Sequence, residues 1–360
     1  MLTLSRPLSS GKVAEYFRQP DPILKACGTW QGKGAERLDL IGEVREPQLK
    51  AVLEGVNPQT GEQLRERAKT GHDRAAVDLI LSAPKSLSIG AISDQSLISA
   101  HQQAVTATID QIESYAQTRQ QIDGVRSTVV TSNLIIAQFD HFLSRSLDPQ
   151  LHSHLIVMNL TQLNEEQWRA LDNKPLYQYQ LALGQFYRSE LGQQLREMGL
   201  QLTTTDSERN FFELKGIPDE LISLFSSRRE ELCSPALLEN LRENYPHASE
   251  ARLHELATYI TRQDKETEIA KNDLIRVWRE TAQEKGHDLD RLPLTKNPDK
   301  AIGVEHDQTP AGHPQQEISI PERSIEHHAP SESILADFLS RQESSANEKE
   351  QETHSQEYTR

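Results

Sequence analysis

Apolar positions change period several times along the first 290 residues, and each change marks an element. Leu2 and Leu4 alternate as in a short strand. Ser9 or Ser10 then caps a helix carrying Val13, Ala14, Tyr16 and Phe17, which Pro20 and Pro22 end. Trp30-Gln-Gly-Lys-Gly-Ala-Glu36 reads as a turn into a helix, and Val77–Ile89 has strand character on both sides of Pro84-Lys85. Residues 94–121 predict a long amphipathic helix with Ile98, Ala104, Val105, Ile109, Ile112 and Ala116 on its apolar face. Val129–His141 is β-branched and apolar, and Leu151–Met158 alternates strictly, so two strands are expected here. Pro175–Met198 predicts a second long helix stopped by Gly199. Phe211–Leu214 predicts a strand, and 217–232 and 248–285 predict helices.

The alternation from Leu151 onward carries the most chemistry. His152, His154, Ile156 and Met158 fall on one face, and Leu151, Ser153, Leu155 and Val157 on the other. His141 ends the preceding strand, and the ten residues between it and His152 include the turn-forming pair Asp148-Pro149. A hairpin would bring His141 beside His152 and His154, making three neutral imidazoles on a rigid sheet a candidate divalent-metal site. The competing reading is a pair of solvated or core histidines, since the chain has 13.

Past residue 290 the periodicity dissolves into Pro, Ser, Gln, Glu and His, with one apolar patch at Ile334, Leu335, Phe338 and Leu339. The expected organisation is a folded domain over 1–290 and a disordered acidic tail over 291–360. Histidines 306, 313, 327, 328 and 354 then have no element to preorganise them. The net charge of −15 argues against general polyanion binding. The segment from Arg291 holds 7 basic and 13 acidic residues, so the remainder is less acidic and can carry a local basic groove. Cys27 and Cys233 imply neither a disulfide framework nor a metal spacing. With no signal-like leader and no apolar run of membrane length, the expectation is a cytoplasmic protein without membrane insertion.

Two further side chains join the histidines as candidates. Tyr16 is a nucleophile only where something removes or offsets a phenolic proton whose pKa is ordinarily near 10. Asp78 heads an apolar strand, where it is either a cap or the acceptor of a metal histidine's free ring N–H. Lys85 and Ser86 follow a proline at a turn, where they could meet a phosphate.

In combination these pieces resemble the relaxase domain of the MOB-F class, the conjugative nickases of the three-histidine (HUH) endonuclease superfamily. The resemblance runs from Met1 to about residue 285 and follows family order. It includes Tyr16, Trp30-Gln-Gly-Lys-Gly-Ala-Glu36, Asp78-Leu-Ile-Leu-Ser-Ala-Pro-Lys-Ser86, His141 with Ser144-Arg145, and Asp148-Pro-Gln-Leu-His-Ser-His154. Trp168-Arg-Ala-Leu171, Tyr187-Arg-Ser-Glu-Leu191, Phe212-Glu213, Gly216-Ile-Pro218, Phe225-Ser-Ser-Arg228 and Thr261-Arg262 follow. It implies that Tyr16 attacks a phosphodiester of single-stranded DNA at an origin of transfer, leaving a 5′-phosphotyrosyl enzyme and a free 3′-hydroxyl. His141, His152 and His154 would hold a divalent ion, Mg²⁺ or Mn²⁺ with Zn²⁺ as the alternative, against the scissile phosphate. Asp78 would orient a metal histidine or help activate Tyr16. Lys85, Ser86, Arg145, Arg228 and Arg262 would contact DNA, with Trp30 and Trp168 as stacking platforms. Implied partners are a coupling protein, accessory DNA-binding proteins and a separate helicase.

The implied fold is α+β: a central antiparallel sheet carrying the three histidines, helices on one face, and a helical C-terminal subregion over about 175–285. The sequence departs from the family pattern in two ways. Phe17 follows Tyr16 where many members have a second tyrosine, and none lies between there and Trp30. No phosphate-binding Gly-x-x-x-x-Gly-Lys-Ser/Thr motif is found. The competing functions are a rolling-circle replication initiator of the same superfamily and a non-catalytic DNA-binding remnant.

Overall fold

The structure is a computed structural model. It describes residues 1–11, 13, 21, 23, 24, 28–65, 74–122, 124–244, 249, 250, 253, 257 and 271–295. All belong to the first of two units, Met1–Ala301. In chain order the first elements are β1 (Leu2–Leu4), β2 (Thr29–Gln31), α1 (Lys33–Glu36), α2 (Glu46–Leu53), β3 (Ala76–Ser82), α3 (Lys85–Gly90) and α4 (Ser96–Ser114). Strands β4 (Gln117–Ile122), β5 (Val125–Val130), β6 (Ile136–Leu143), β7 (Pro149–Met158), β8 (Thr161–Asn164) and β9 (Gln167–Arg169) follow. The remainder is α5 (Lys174–Gln178), α6 (Gln180–Glu197), β10 (Leu202–Asp206), β11 (Phe211–Leu214), α7 (Asp219–Leu224), α8 (Ser227–Leu232), α9 (Pro235–Asn244) and α10 (Lys271–Glu284).

Five strands form the sheet that positions the site, in the order β1-β3-β7-β6-β2, with every neighbouring pair antiparallel. The period-2 pattern of β7 divides the core as the sequence predicts. Leu151, Leu155 and Val157 pack with Leu79 and Leu81 against the long helices α4 and α6. Ile156 and Met158 face the other way, toward Ala137, Phe139, Trp30 and the short α2. The long helices thus share one face, while small elements cover one end of the other.

Four local expectations are corrected. Residues 85–90 are helix rather than strand, although Leu87 and Ile89 alternate with serines. The serines hold this turn: Ser88 Oγ donates to Pro84 O at 3.1 Å and accepts from Leu151 N at 2.9 Å. The helix expected over 94–121 ends at Ser114, and 117–122 pairs with β5 in a polar hairpin turned by Gly124 at φ 82°. The strand expected over 129–141 is two strands, interrupted around Ser132, whose φ is 51°. Pro175–Met198 divides into α5 and α6 at Tyr179, and Gly199 stops α6 in the left-handed conformation at φ 81°.

The Trp-Gln-Gly-Lys-Gly-Ala-Glu motif is a backbone device. Gly32 has φ 91°, and a Cβ on Gly34 would lie 2.7 Å from the Leu134 carbonyl oxygen. The buried Glu113 of α4 accepts Lys33 N and Leu134 N, each at 2.8 Å, and so ties the motif to the chain entering β6. Burial pushes its carboxyl above the usual range, although both N–H donors and Lys33 pull the other way.

Candidate functional site

Strand register alone assembles the histidines. His141 is the direct cross-strand partner of His152, and Phe139 that of His154. The three imidazole centres lie 5.5 Å (His141–His152), 5.2 Å (His141–His154) and 5.1 Å (His152–His154) apart. An imidazole bound to a metal at about 2.1 Å places its ring centre roughly 3.2 Å from the ion, so tetrahedral ligands have centres about 5.2 Å apart. The ring spacing therefore fits one ion. Among the described residues, however, no donor atoms are already drawn together as a closed ligand group.

The hydrogen bonds decide which ring nitrogens remain for such an ion. His154 Nδ1 lies 2.8 and 3.0 Å from the two carboxylate oxygens of the buried Asp78. His152 Nδ1 lies 2.8 Å from the Gln150 carbonyl oxygen, which can only accept. Each Nδ1 therefore carries a proton. His141 Nδ1 stands 4.0 Å from Asp21 Oδ2. That buried carboxylate also accepts Phe142 N at 2.7 Å, Ile23 N at 2.8 Å and Leu24 N at 3.0 Å. Burial first, then the neighbouring His154, hold His152 well below the usual imidazole range despite the Gln150 contact, so it is neutral near pH 7. An imidazole whose Nδ1 is tied to an oxygen acceptor presents Nε2 as its ligand atom, the arrangement a divalent ion uses.

Of the other expected site residues, Lys85 opens α3 and donates from Nζ to Pro149 O at 2.9 Å, at the start of the histidine strand. Burial lowers its pKa to about 8, opposed by the Asp148 and Glu213 carboxylates. Ser86 is fully buried, and its hydroxyl accepts Leu214 N at 2.7 Å. The expected phosphate contact is corrected to a packing role. Arg145 is exposed in the turn between β6 and β7. Arg228 is half-buried, its guanidinium against Glu231 and its N–H 3.3 Å from Asp148. Trp30 is buried in the core, so the expected stacking platform at that position is also corrected. Tyr16 and Arg262 lie outside the described residues.

The C-terminal helices close on the turn of the histidine hairpin. Ser227 Oγ donates to Asp148 Oδ1 at 2.9 Å, and the Trp278 indole donates to Leu147 O at 3.0 Å. At the other end of β7, Trp168 lines an open cavity of about 600 Å³ with Arg65, Arg74, Arg119 and Arg169. Arg119 is held there by a two-pronged pair with Asp172, at 3.0 and 2.9 Å. These arginines are scattered through polar segments and carry no spacing that sequence reading could detect. Asp21 was equally silent.

The profile of the TrwC relaxase family matches residues 8–285. The chain belongs to that family. It is 32% identical over 303 residues to the multifunctional conjugation protein TraI of Escherichia coli K12, covering 80% of this chain and 16% of TraI. The chain thus spans about a sixth of the length of the curated relatives it matches. Among solved structures it is similar to the conjugative relaxase TrwC in complex with oriT DNA, copper-bound, with a TM-score of 0.72 and 33% identity. That alignment covers 80% of this chain and all of the TrwC chain. A metal-bound TrwC–oriT complex and TrwC with a 27-mer DNA comprising the recognition hairpin and the cleavage site align with TM-scores of 0.70 and 0.69, both at 33% identity. The α+β fold with its antiparallel sheet is shared with these relaxases, and no described helix is long and apolar enough to cross a membrane.

Proposed function

We propose that this chain is a metal-dependent relaxase acting in the cytoplasm, which nicks and rejoins single-stranded DNA at an origin of transfer. The observation that carries the reading is the imidazole cluster, three ring centres 5.1 to 5.5 Å apart with the Nδ1 atoms of His152 and His154 tied to oxygen acceptors. His141, His152 and His154 would hold the ion, and Asp78 would fix the His154 tautomer and raise its basicity. Both Asp78 oxygens stand within 3.0 Å of that ring nitrogen. Of its two expected roles, orienting a ligand is therefore favoured over deprotonating Tyr16. The bound ion would neutralise charge on a non-bridging phosphate oxygen. The Tyr16 oxygen, its proton lost to a base, forms the new bond to phosphorus. The bond to the 3′-oxygen breaks, and that oxygen leaves as a hydroxyl after taking a proton. Attack by a 3′-hydroxyl on the phosphotyrosine reverses the step and rejoins the strand.

Two observations support Tyr16 as the nucleophile. Val13 is buried with Phe139 and Ile156, and Asp21 accepts from Phe142 N beside His141. A chain reaches at most about 3.6 Å per residue. Tyr16 is thus tethered within roughly 11 Å of the first anchor and roughly 18 Å of the second. The working ion is proposed to be Mg²⁺ or Mn²⁺, with Zn²⁺ the tighter binder for three imidazoles. The cleft of Trp168 and the arginines is the proposed path of the DNA away from the site. Asn159, on its lining, is five residues along the strand from His154, or roughly 17 Å.

Incubation with an oligonucleotide spanning the neighbouring transfer origin, in Mg²⁺, Mn²⁺ or Zn²⁺, tests the reading. A covalent protein–DNA adduct is expected, lost in Tyr16→Phe and in chelator. Binding with no adduct under all three ions would leave a DNA-binding remnant instead.

A further inference from the structure

Behind the histidines, on the opposite sheet face, four polar side chains link the long helices to the histidine strands. The Tyr187 hydroxyl of α6 lies 2.7 Å from His101 Nδ1 of α4. His101 Nε2 lies 2.9 Å from Ser153 Oγ, which donates to Asp140 Oδ1 at 2.6 Å. Asp140 also accepts the side-chain amides of Gln138 at 2.9 Å and Gln102 at 3.1 Å. Tyr187, His101 and Ser153 are fully buried.

The proton order in this chain follows from the ends inward. Ser153 gives its one hydroxyl proton to a carboxylate, so it accepts from His101 Nε2–H. His101 then has only a lone pair at Nδ1 and accepts from the Tyr187 hydroxyl. Burial, the largest influence on this ring, keeps it neutral, with a pKa of about 4. One direction of donation runs unbroken from α6 to the carboxylate. A fully satisfied buried network rigidifies and specifies a core, whereas a half-satisfied one is costly.

Its position gives the chain a consequence for the site. Asp140 pairs directly with Ser153 in the register that also pairs His141 with His152. Ser153 stands between His152 and His154 in sequence, and Asp140 immediately precedes His141. A slip of one residue between the strands would exchange their faces, break the polar chain and separate the histidines. We propose that Tyr187, His101, Ser153 and Asp140 form a positioning chain that sets the pairing of the histidine strands and thereby the affinity of the site for its divalent ion. This rests on the three-histidine metal reading above.

Calorimetric titration of the metal-free protein with Mn²⁺ alone tests it, with folding followed by circular dichroism. Removing a partner that orients metal ligands typically lowers affinity by 10- to 100-fold, and a partner one step further removed belongs at the lower end. Ser153→Ala is therefore expected to weaken Mn²⁺ binding about 10-fold, with Ser153→Thr, which keeps the hydroxyl, restoring it. Tyr187→Phe removes only the terminal donor and should weaken binding several-fold while folding normally, which keeps the test open if Ser153→Ala does not fold. Wild-type Mn²⁺ affinity in folded Ser153→Ala or Tyr187→Phe, even with a lowered Tm, would overturn the proposal. A wild-type protein that binds no ion, or a His152→Ala variant that binds like wild type, would overturn the metal reading and this inference with it.

Discussion

Asp78 and Ser86 stand eight residues apart in one apolar run, yet the structure gives them opposite kinds of work. Asp78 holds His154 Nδ1 with both oxygens, so its truncation should release the ring rather than destabilise the sheet. Asp78→Ala is expected to lower divalent-metal affinity about 10- to 100-fold, measured by titration of the metal-free protein. Ser86 instead serves the backbone of β11 through Leu214 N. Ser86→Ala should leave that buried N–H unsatisfied and cost about 1–3 kcal/mol in a urea denaturation, with DNA affinity unchanged. The histidines were legible because a period of 2 states which side chains share a face before any partner is known. Ser86 was not, because its partner lies 128 residues away in sequence and a serine after a proline looks the same in a phosphate loop and in a core. Trp30 misled for a related reason: residue type alone does not say whether an aromatic ring stacks on a base or fills the space beside α1.

At the scale of elements, the histidine hairpin was readable and the elements flanking it were not. The alternation of β7 and the Asp148-Pro149 turn define the hairpin locally. Residues 85–90 alternate in the same way but fold as a helix, whose serine hydroxyls bond Pro84 O within the turn and accept the Leu151 and Leu214 N–H groups of β7 and β11. The helix α4 stops at Ser114 because Gln117–Ile122 is needed as β4, a pairing visible only once β5 is placed. The glycine motif after Trp30 is similarly a matter of approach. Gly34 N donates to Leu134 O at 2.9 Å, and an added Cβ would meet the carbonyl carbon at 2.8 Å. Backbone cannot yield as a flexible side chain can, so Gly34→Ala should destabilise by about 1–3 kcal/mol or more, read as a lowered Tm. Nicking at a temperature well below that Tm should persist, since the motif touches neither Asp78 nor the histidines in the described contacts.

Over the whole molecule, burial of neutral histidines makes stability depend on acidity. His101, at about 4 in the folded state, and His152, also lowered, both bind protons more readily once unfolded. Their contribution is therefore fully present above the unfolded value near 6.5 and is lost progressively as pH falls from there through the folded value. For His101 the loss between pH 6.5 and 4 is on the order of 3 kcal/mol in the metal-free protein, measurable as a falling urea midpoint. A bound ion selects the neutral imidazoles, so metal should raise the midpoint most at neutral pH and lose that effect on acidification. The central claim joins the three-histidine cluster to a tyrosine far earlier in the chain, and peptide mapping of the trapped adduct tests it most directly. Trypsin should release Val13–Arg18, in which Tyr16 is the one tyrosine. The expected result is a nucleotide mass on that peptide, present with Mn²⁺ and absent in chelator and in His154→Ala. An adduct on another tyrosine, or one that forms equally well without metal, would contradict the account.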